Sequence, residues 1–114
     1  MSRRLENYLR AHRKRSGLSQ DDVAFLLGTR SGTRVSRYES FARTPALRTA
    51  LGLAALYRTA AAELFAGLYE KERHRAAAQA RALVLRLEKS GSDRHTARKV
   101  ATLKAIASTT RSTP

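Results

Sequence analysis

The fold is decided by residues 13–45, which read RKRSGLSQDDVAFLLGTRSGTRVSRYESFARTP. Ser19 stands at an N-cap position with an acidic residue three positions later, a variant of the capping box, so a helix is predicted to begin here. Gly28 ends this helix after only two turns. A second short helix is predicted over Thr33–Ser40, with Val35 facing inward. Helices this short are poor independent structures, so neighbouring elements must bury them.

The rest of the chain is also predicted to be helical, which makes the fold class all-α. Alanine, leucine and arginine dominate, and no segment alternates apolar and polar residues as a half-buried strand would. A first helix is predicted over about residues 3–15. Pro45 marks the start of the fourth, because proline is tolerated in the first turn of a helix and not later. A fifth is predicted from near Thr59 to Lys89 without a break, and a final helix capped by Ser92 or Asp93 follows.

Three parts are predicted along the chain: a compact domain over 1–69, a C-terminal helical extension over 70–108 and a flexible tail over 109–114. The division rests on the long fifth helix, whose composition changes along its length. Residues 70–82 offer only charged, histidine, alanine and glutamine side chains, so the second half of this helix cannot belong to the core of the first domain.

The charge balance indicates a polyanionic partner. The 114 residues include 23 Lys and Arg against 9 Asp and Glu, a formal net charge of +14. Nucleic acid therefore ranks ahead of an acidic protein or an anionic membrane surface. The N-terminus lacks the apolar core of a signal peptide, and no apolar run reaches the roughly 18 residues of a membrane span. We expect a cytoplasmic chain with no membrane partner.

No catalytic or metal-binding constellation is predicted. The chain has no cysteine, which excludes disulfides, thiolate metal sites and cysteine nucleophiles and fits a reducing compartment. His12, His74 and His95 lie far apart in the sequence, which gives a metal site or a catalytic base little support. We expect no enzymatic activity and no cofactor.

The stretch quoted above resembles the helix-turn-helix of the Xre-like family, the phage-repressor and Cro type. The matching residues stand in the family's order: Arg13; Gly17, Leu18, Ser19 and Gln20; Val23, Ala24, Leu26 and Gly28; Val35 and Ser36; Tyr38 and Glu39; and Pro45. The resemblance covers about residues 5–69. It implies a five-helix, lambda-repressor-like domain that binds double-stranded DNA, followed by the C-terminal helical extension.

Two positions depart from the family's pattern. The stretch from Gly28 to Val35 is one residue longer than usual, so the turn between the two short helices carries an insertion. Phe41 stands where the family normally has glycine after the glutamate. We expect the end of the recognition helix to be reshaped there, with Phe41 packed against the fourth helix.

The resemblance implies that the Thr33–Ser40 helix enters the major groove with its N-terminus first. Base contacts are assigned to four of its residues: Thr33, Arg34, Ser36 and Arg37. The two arginines lead, because a guanidinium can donate twice to guanine O6 and N7. Backbone contacts, which position the protein without reading sequence, are assigned to Gln20, Arg30, Ser31, Tyr38 and Arg43. For Tyr38, packing in the core is an equal alternative.

A structural role is implied for Arg13 and Glu39. The resemblance implies that they form an internal ion pair between the first helix and the end of the recognition helix. Such a pair orients the reading helix and does not itself read DNA. Removing one partner would leave a partly buried charge, which is costly.

The long fifth helix carries a short seam at heptad spacing. Its members recur at intervals of four, three and four: Ala76, Ala80, Leu83 and Leu87. Such a seam could pair with the same seam of a second subunit, and packing within its own chain is an equal alternative. The final helix could also fold back over it, as a hairpin within one subunit or exchanged between two.

These observations predict a sequence-specific transcriptional regulator that binds a palindromic operator as a homodimer. One recognition helix reads too few base pairs for useful specificity in a genome, and two-fold pairing solves this. One alternative is an antitoxin that represses its own operon and binds a toxin, a protein partner, through its C-terminal helices. Another is non-specific binding of RNA or of an anionic membrane by the basic helices.

Overall fold

The computed structural model describes residues 4–90 and 94–108, and the regular structure of these residues is entirely helical. Seven helices follow one another within them: α1 Leu9–Ser16, α2 Gln20–Leu27, α3 Gly32–Glu39, α4 Leu47–Tyr57, α5 Ala61–Leu64, α6 Ala66–Lys89 and α7 Arg94–Ser108. The prediction of an all-α fold is confirmed. None of these helices is both long and apolar enough to cross a membrane.

The chain divides into two compact units, Met1–Tyr69 and Glu70–Pro114. The core of the first unit takes at least one side chain from each of α1 to α5, and its buried members are Leu9, Val23, Ala24, Val35, Tyr38, Leu53, Leu64 and Phe65. Helices α2 and α3 have only 8 residues each. They are stabilised mainly by this shared core, because helices so short are marginal alone.

Helix α2 begins with a complete capping box. The Ser19 hydroxyl accepts from the Asp22 backbone N–H, and the Asp22 carboxylate accepts from the Ser19 backbone N–H, both at 2.9 Å. These hydrogen bonds lower the pKa of Asp22, since they favour its charged form. The helix ends at Gly28 in the left-handed conformation, with φ of 80°. The spacing of Val23, Ala24, Leu26 and Leu27 predicts one buried face for this helix, and that prediction is wrong at Leu26, which is exposed.

Helix α1 begins at Leu9 and not near residue 3 as predicted. The cause is Asn7, whose side chain competes with helix formation. Its Oδ1 accepts from the Leu9 backbone N–H, and its Nδ2 donates to the Tyr38 carbonyl, both at 3.0 Å. A buried asparagine that is satisfied in this way fixes a turn immediately before the helix.

The residues before Asn7 run beside the start of α6. The Leu5 carbonyl accepts from the Gly67 backbone N–H at 2.8 Å. This approach requires glycine, because a Cβ at position 67 would lie only 2.2 Å from the Leu5 carbonyl oxygen. Gly67 therefore lets the N-terminal segment dock.

The predicted unbroken fifth helix is wrong, because the chain leaves helical geometry at Phe65 (φ −111°, ψ 44°) between α5 and α6. The N-terminal segment supplies the reason. The Leu64 carbonyl accepts from the Tyr8 N–H at 2.9 Å, and the Leu68 N–H donates to the Glu6 carbonyl at 3.3 Å. In a continuous helix Leu68 would donate to Leu64. The Leu64 carbonyl and the Leu68 N–H are instead bonded to Tyr8 and Glu6 of the N-terminal segment.

The second unit contains most of α6 and all of α7. Ala77, Ala80 and Val84 of α6 are buried. The two helices lie side by side at one apolar groove, lined by Arg81, Val84, Leu85, Lys104 and Ala107. Of the predicted seam, Ala80 is buried, Leu83 and Leu87 are half-buried, and Ala76 is exposed. The predicted cap of the last helix at Ser92 or Asp93 and the predicted tail over 109–114 lie outside the described residues.

Candidate nucleic-acid interface

Helices α2 and α3 are joined by a short turn that accommodates the extra residue. The Thr29 N–H donates to the Ala24 carbonyl at 2.9 Å, which closes the end of α2. Ser31 is the N-cap of α3, and its hydroxyl accepts from the Thr33 N–H at 3.4 Å. Helix α3 therefore begins at Gly32, one residue earlier than predicted.

Two inward residues set the orientation of α3. Val35 and Tyr38 belong to the core, with exposed fractions of 2% and 4%. The opposite side of the helix leaves Thr33, Arg34 and Arg37 exposed and Ser36 half-buried. Tyr38 occupies its predicted alternative place as a packing residue, which leaves its ring little surface for a phosphate contact.

The predicted base-reading residues line two adjoining concave surfaces. The first, here the α2–α3 groove, lies between the N-terminal ends of the two helices, and its lining includes Ser19, Gln20, Asp21, Thr33, Ser36 and Arg37. The second lies on the other side of Ser31 and holds Arg30 and Arg34. The structure thus brings three of the four predicted readers together and places Arg34 beside a predicted phosphate-binding residue.

Asp21 is a residue of this surface that the sequence patterns did not single out. Its Oδ1 accepts from the Gly32 backbone N–H at 2.9 Å, so the carboxylate caps the N-terminus of α3 from the neighbouring helix. Gly32 is buried against it, and a Cβ there would lie 2.8 Å from Asp21 Oδ1 and 2.9 Å from the Gln20 carbonyl carbon. The sequence feature that could have indicated this cap is Gly32 itself, because a glycine at the first position of a helix leaves room for a neighbouring side chain.

Arg13 and Glu39 form a bidentate pair behind the recognition helix. Arg13 Nε donates to Glu39 Oε2 at 2.7 Å, and Nη2 donates to Oε1 at 3.1 Å. The remaining Nη1 donates to the Leu18 carbonyl at 3.1 Å. The two side chains are only 13% and 4% exposed. The hydrogen bonds to Glu39 raise the pKa of Arg13, so the guanidinium is held in its charged form.

Gln20 joins the same carboxylate. Its Nε2 donates to Glu39 Oε1 at 3.1 Å. A primary amide carries two N–H bonds, and one remains for a phosphate. The predicted phosphate-binding residue is therefore held by the internal ion pair.

The backbone at Phe41, just after α3, has the conformation that the family's glycine would adopt at this position. Phe41 adopts φ of 68°, a left-handed conformation uncommon outside glycine, and its side chain stays exposed. The Arg37 carbonyl accepts from the N–H groups of both Ala42 and Arg43, at 2.9 and 3.2 Å. These bonds fix the turn from which the exposed Arg43 side chain extends.

The electrostatics of this surface are strongly positive. Four arginines occur between residues 29 and 43, namely Arg30, Arg34, Arg37 and Arg43, all of them exposed. The one acid in that range, Glu39, is already bonded to Arg13. The four guanidinium groups outnumber the exposed Asp21 carboxylate at this surface, and their excess positive charge attracts a polyanion.

The comparison with known families agrees with this geometry. The model of the helix-turn-helix domain family matches residues 4–66, more than half of the chain. No curated protein and no solved structure is similar enough to the chain to count as a match. The matched residues include α1 to α5, the α2–α3 groove and the Arg13–Glu39 pair. The chain therefore belongs to the helix-turn-helix domain family of DNA-binding domains.

Proposed function

We propose that this protein is a cytoplasmic, sequence-specific transcriptional regulator of the Xre-like type that binds a palindromic operator as a homodimer. One observation carries the proposal. Helix α3 is fixed by Val35 and Tyr38 in the core, while its opposite side exposes Arg34 and also Arg37, which lines the groove at the N-terminus of α2. A helix anchored in this way can enter the major groove as a rigid body.

Arg34 and Arg37 are the proposed base readers. Both are exposed, three residues apart on α3, and each can donate two hydrogen bonds to guanine O6 and N7. Thr33 precedes them and can contact a thymine methyl group. Ser36, half-buried in the α2–α3 groove, can donate to a neighbouring base.

Phosphate contacts are proposed for the residues that flank the readers. The positive dipole end at the start of α2 attracts an anion, and the second N–H of Gln20 adds a side-chain donor. Ser31 caps α3 and has a hydroxyl at the junction of the two concave surfaces. Arg30 and Arg43 supply the charge on either side.

Homodimerisation is proposed to use the second unit. Ala76, the first member of the heptad seam, is exposed in the single chain, and Leu83 and Leu87 of the same seam are only half-buried. An apolar surface of this kind is stabilised when a second chain covers it. Two recognition helices held in this way would read half-sites about one helical turn apart.

The test is selection of bound duplexes from a random DNA pool at physiological salt. We expect one enriched motif with two-fold symmetry. Arg37→Ala should relax the preference at one position in each half-site. Arg48→Ala is the matched control, because it removes the same charge from an exposed site on α4. Arg48 lies beside Leu26 and Leu27, in a separate groove that contains none of the proposed DNA-binding residues. Selection without any enriched sequence would contradict the proposal.

A further inference from the structure

Asp21 presents an acid inside a surface that is otherwise basic. It lines the α2–α3 groove together with Thr33 and Arg37, and it is exposed to solvent. A carboxylate in such a place is repelled by phosphates and weakens non-specific binding of DNA. The groove therefore contains a group that is unfavourable for contacts with the DNA backbone.

The carboxylate occupies the space of a missing side chain. Gly32 is the first residue of α3, and its hypothetical Cβ would lie 2.8 Å from Asp21 Oδ1. No larger residue fits there without a shift of the α2 backbone, since the Gln20 carbonyl carbon lies 2.9 Å away. At the end of the helix that enters DNA first, α2 thus supplies a carboxylate where α3 itself has no side chain.

The two oxygens of Asp21 have different roles. Oδ1 accepts from the Gly32 N–H at 2.9 Å, which fixes the orientation of the carboxylate. Within the described part of the chain, no donor is bonded to Oδ2. An oriented carboxylate with one oxygen left over is an acceptor prepared for a donor on the ligand.

We infer that Asp21 is a specificity-determining residue that accepts a hydrogen bond from the N4 amino group of cytosine in the major groove. This inference rests on the proposed function. Of the base edges in that groove, only cytosine N4 and adenine N6 donate. Adenine places its N7 acceptor beside N6, where it repels a carboxylate, whereas cytosine offers no such acceptor on the same base.

The experiment compares the wild type, Asp21→Asn and Asp22→Asn by selection from a random duplex pool at physiological salt. Asparagine at position 21 keeps the oxygen that accepts from Gly32 and replaces the other oxygen with a donor. Asp22→Asn removes the same charge one residue away, in the capping box. Both variants should bind non-specific DNA more tightly than the wild type does, because each loses a negative charge.

The wild type and Asp22→Asn should enrich cytosine at one position in each half-site, and Asp21→Asn should not. On duplexes with that C·G pair changed to T·A, wild-type affinity should fall about 5- to 150-fold, and the affinity of Asp21→Asn should change little. A second measurement needs no variant: wild-type binding should fall similarly when the cytosine is replaced by a pyrimidin-2-one, which lacks the N4 amino group.

Two results would overturn the inference and are distinguishable. If the wild type and Asp21→Asn enrich the same motif, or if the pyrimidin-2-one duplex binds as well as the cytosine duplex, Asp21 only caps α3 and the proposed function stands. If the wild type enriches no sequence at all, the proposed function fails and the role of Asp21 fails with it. Thermal melting of each variant shows that the compared proteins are folded.

Discussion

Arg13 of α1 and Glu39 at the end of α3 are joined by two parallel hydrogen bonds, at 2.7 and 3.1 Å. Bidentate pairs of this kind fix orientation as well as distance. Gln20 of α2 donates to the same carboxylate at 3.1 Å. One buried acid therefore holds together the three helices that shape the candidate interface.

Glu39→Gln should destabilise the first unit. The glutamine keeps one acceptor but loses the charge that compensates the partly buried Arg13, and hydrogen bonds to charged groups contribute about 1.5–3 kcal/mol. We expect a loss of that size in the free energy of unfolding, measured by denaturant titration. Glu63→Gln, at an exposed acid of the same unit, is the control and should lose less than about 1 kcal/mol. Equal stability of the two variants would show that the pair contributes nothing.

Gly67→Ala should lower stability, whereas Gly52→Ala should keep or raise it. A Cβ at Gly67 meets the Leu5 carbonyl oxygen at 2.2 Å, so the N-terminal segment must move and lose its hydrogen bond. Overpacking of this kind costs about 1–3 kcal/mol or more.

At Gly52 the nearest atom is the flexible end of Leu27, at 3.1 Å. Gly52 lies inside α4, where alanine is favoured over glycine by about 1 kcal/mol. Thermal melting should therefore move down for Gly67→Ala and stay level or rise for Gly52→Ala. A melting temperature for Gly67→Ala at or above that of the wild type would mean that the docked segment is dispensable.

Local signals in the sequence predicted the elements that local chemistry controls. The capping residue Ser19 and the terminating Gly28 set the bounds of α2, and hydrophobic spacing gave the inward place of Val35. Each depends on residues within one or two helical turns, and such interactions can be inferred from a sequence alone.

The features that the sequence patterns missed depend on contacts between distant residues. The late start of α1 arises because the Asn7 side chain bonds to Tyr38, 31 positions away, and the break at Phe65 arises because the N-terminal segment bonds to residues about 60 positions away. The role of Asp21 depends on its meeting Gly32 across the turn. Propensity and periodicity describe neighbours along the chain and contain no information on such pairs.

Tyr57 should make stability fall in alkaline solution. Its hydroxyl is buried without a hydrogen-bond partner in the described part of the chain, and burial raises the pKa of Tyr57 from its ordinary value of 10.0 to about 12. A raised pKa in the folded state stabilises the protein fully below the unfolded pKa, and this contribution is lost as the pH rises through the folded pKa.

The wild type should therefore lose stability between about pH 10 and pH 12, and Tyr57→Phe should lose less. Melting of both proteins across this range measures the difference, with Tyr69→Phe, at an exposed tyrosine, as the control. If the melting temperatures of Tyr57→Phe and the wild type fall in parallel above pH 10, the ionisation of Tyr57 does not cause the loss of stability in alkaline solution.

Arg34 and Arg43 should differ in how their loss affects DNA binding. Arg34→Ala should cost about 1–3 kcal/mol on the selected site and relax the base preference at one position in each half-site. Arg43→Ala should weaken binding to all sequences alike and reduce the salt dependence by roughly one unit of slope. Binding isotherms on specific and scrambled duplexes at several salt concentrations separate the two. A sequence-dependent effect of Arg43→Ala would reverse its assignment.

A chain ending at Tyr69 should fold but not dimerise. It keeps all core residues of the first unit and the backbone bonds of Gly67 and Leu68 to the N-terminal segment. It also loses 11 basic and 4 acidic side chains, so part of any loss in DNA affinity is electrostatic. Molar mass in solution, measured by sedimentation equilibrium, is therefore the quantity that tests dimerisation.

A point variant of the full chain makes the same test without a change in length. Ala76 and Ala78 are both exposed on α6, and only Ala76 belongs to the heptad seam. Ala76→Glu should dissociate the dimer, because it places two carboxylates in one seam, whereas Ala78→Glu should leave the dimer intact. The affinity of Ala76→Glu for a full palindrome should then fall towards its affinity for one half-site. If Ala76→Glu and Ala78→Glu are both dimers, the contact between subunits lies outside the seam. A monomeric wild type would remove the homodimer and favour the antitoxin alternative, in which the C-terminal helices bind a different protein.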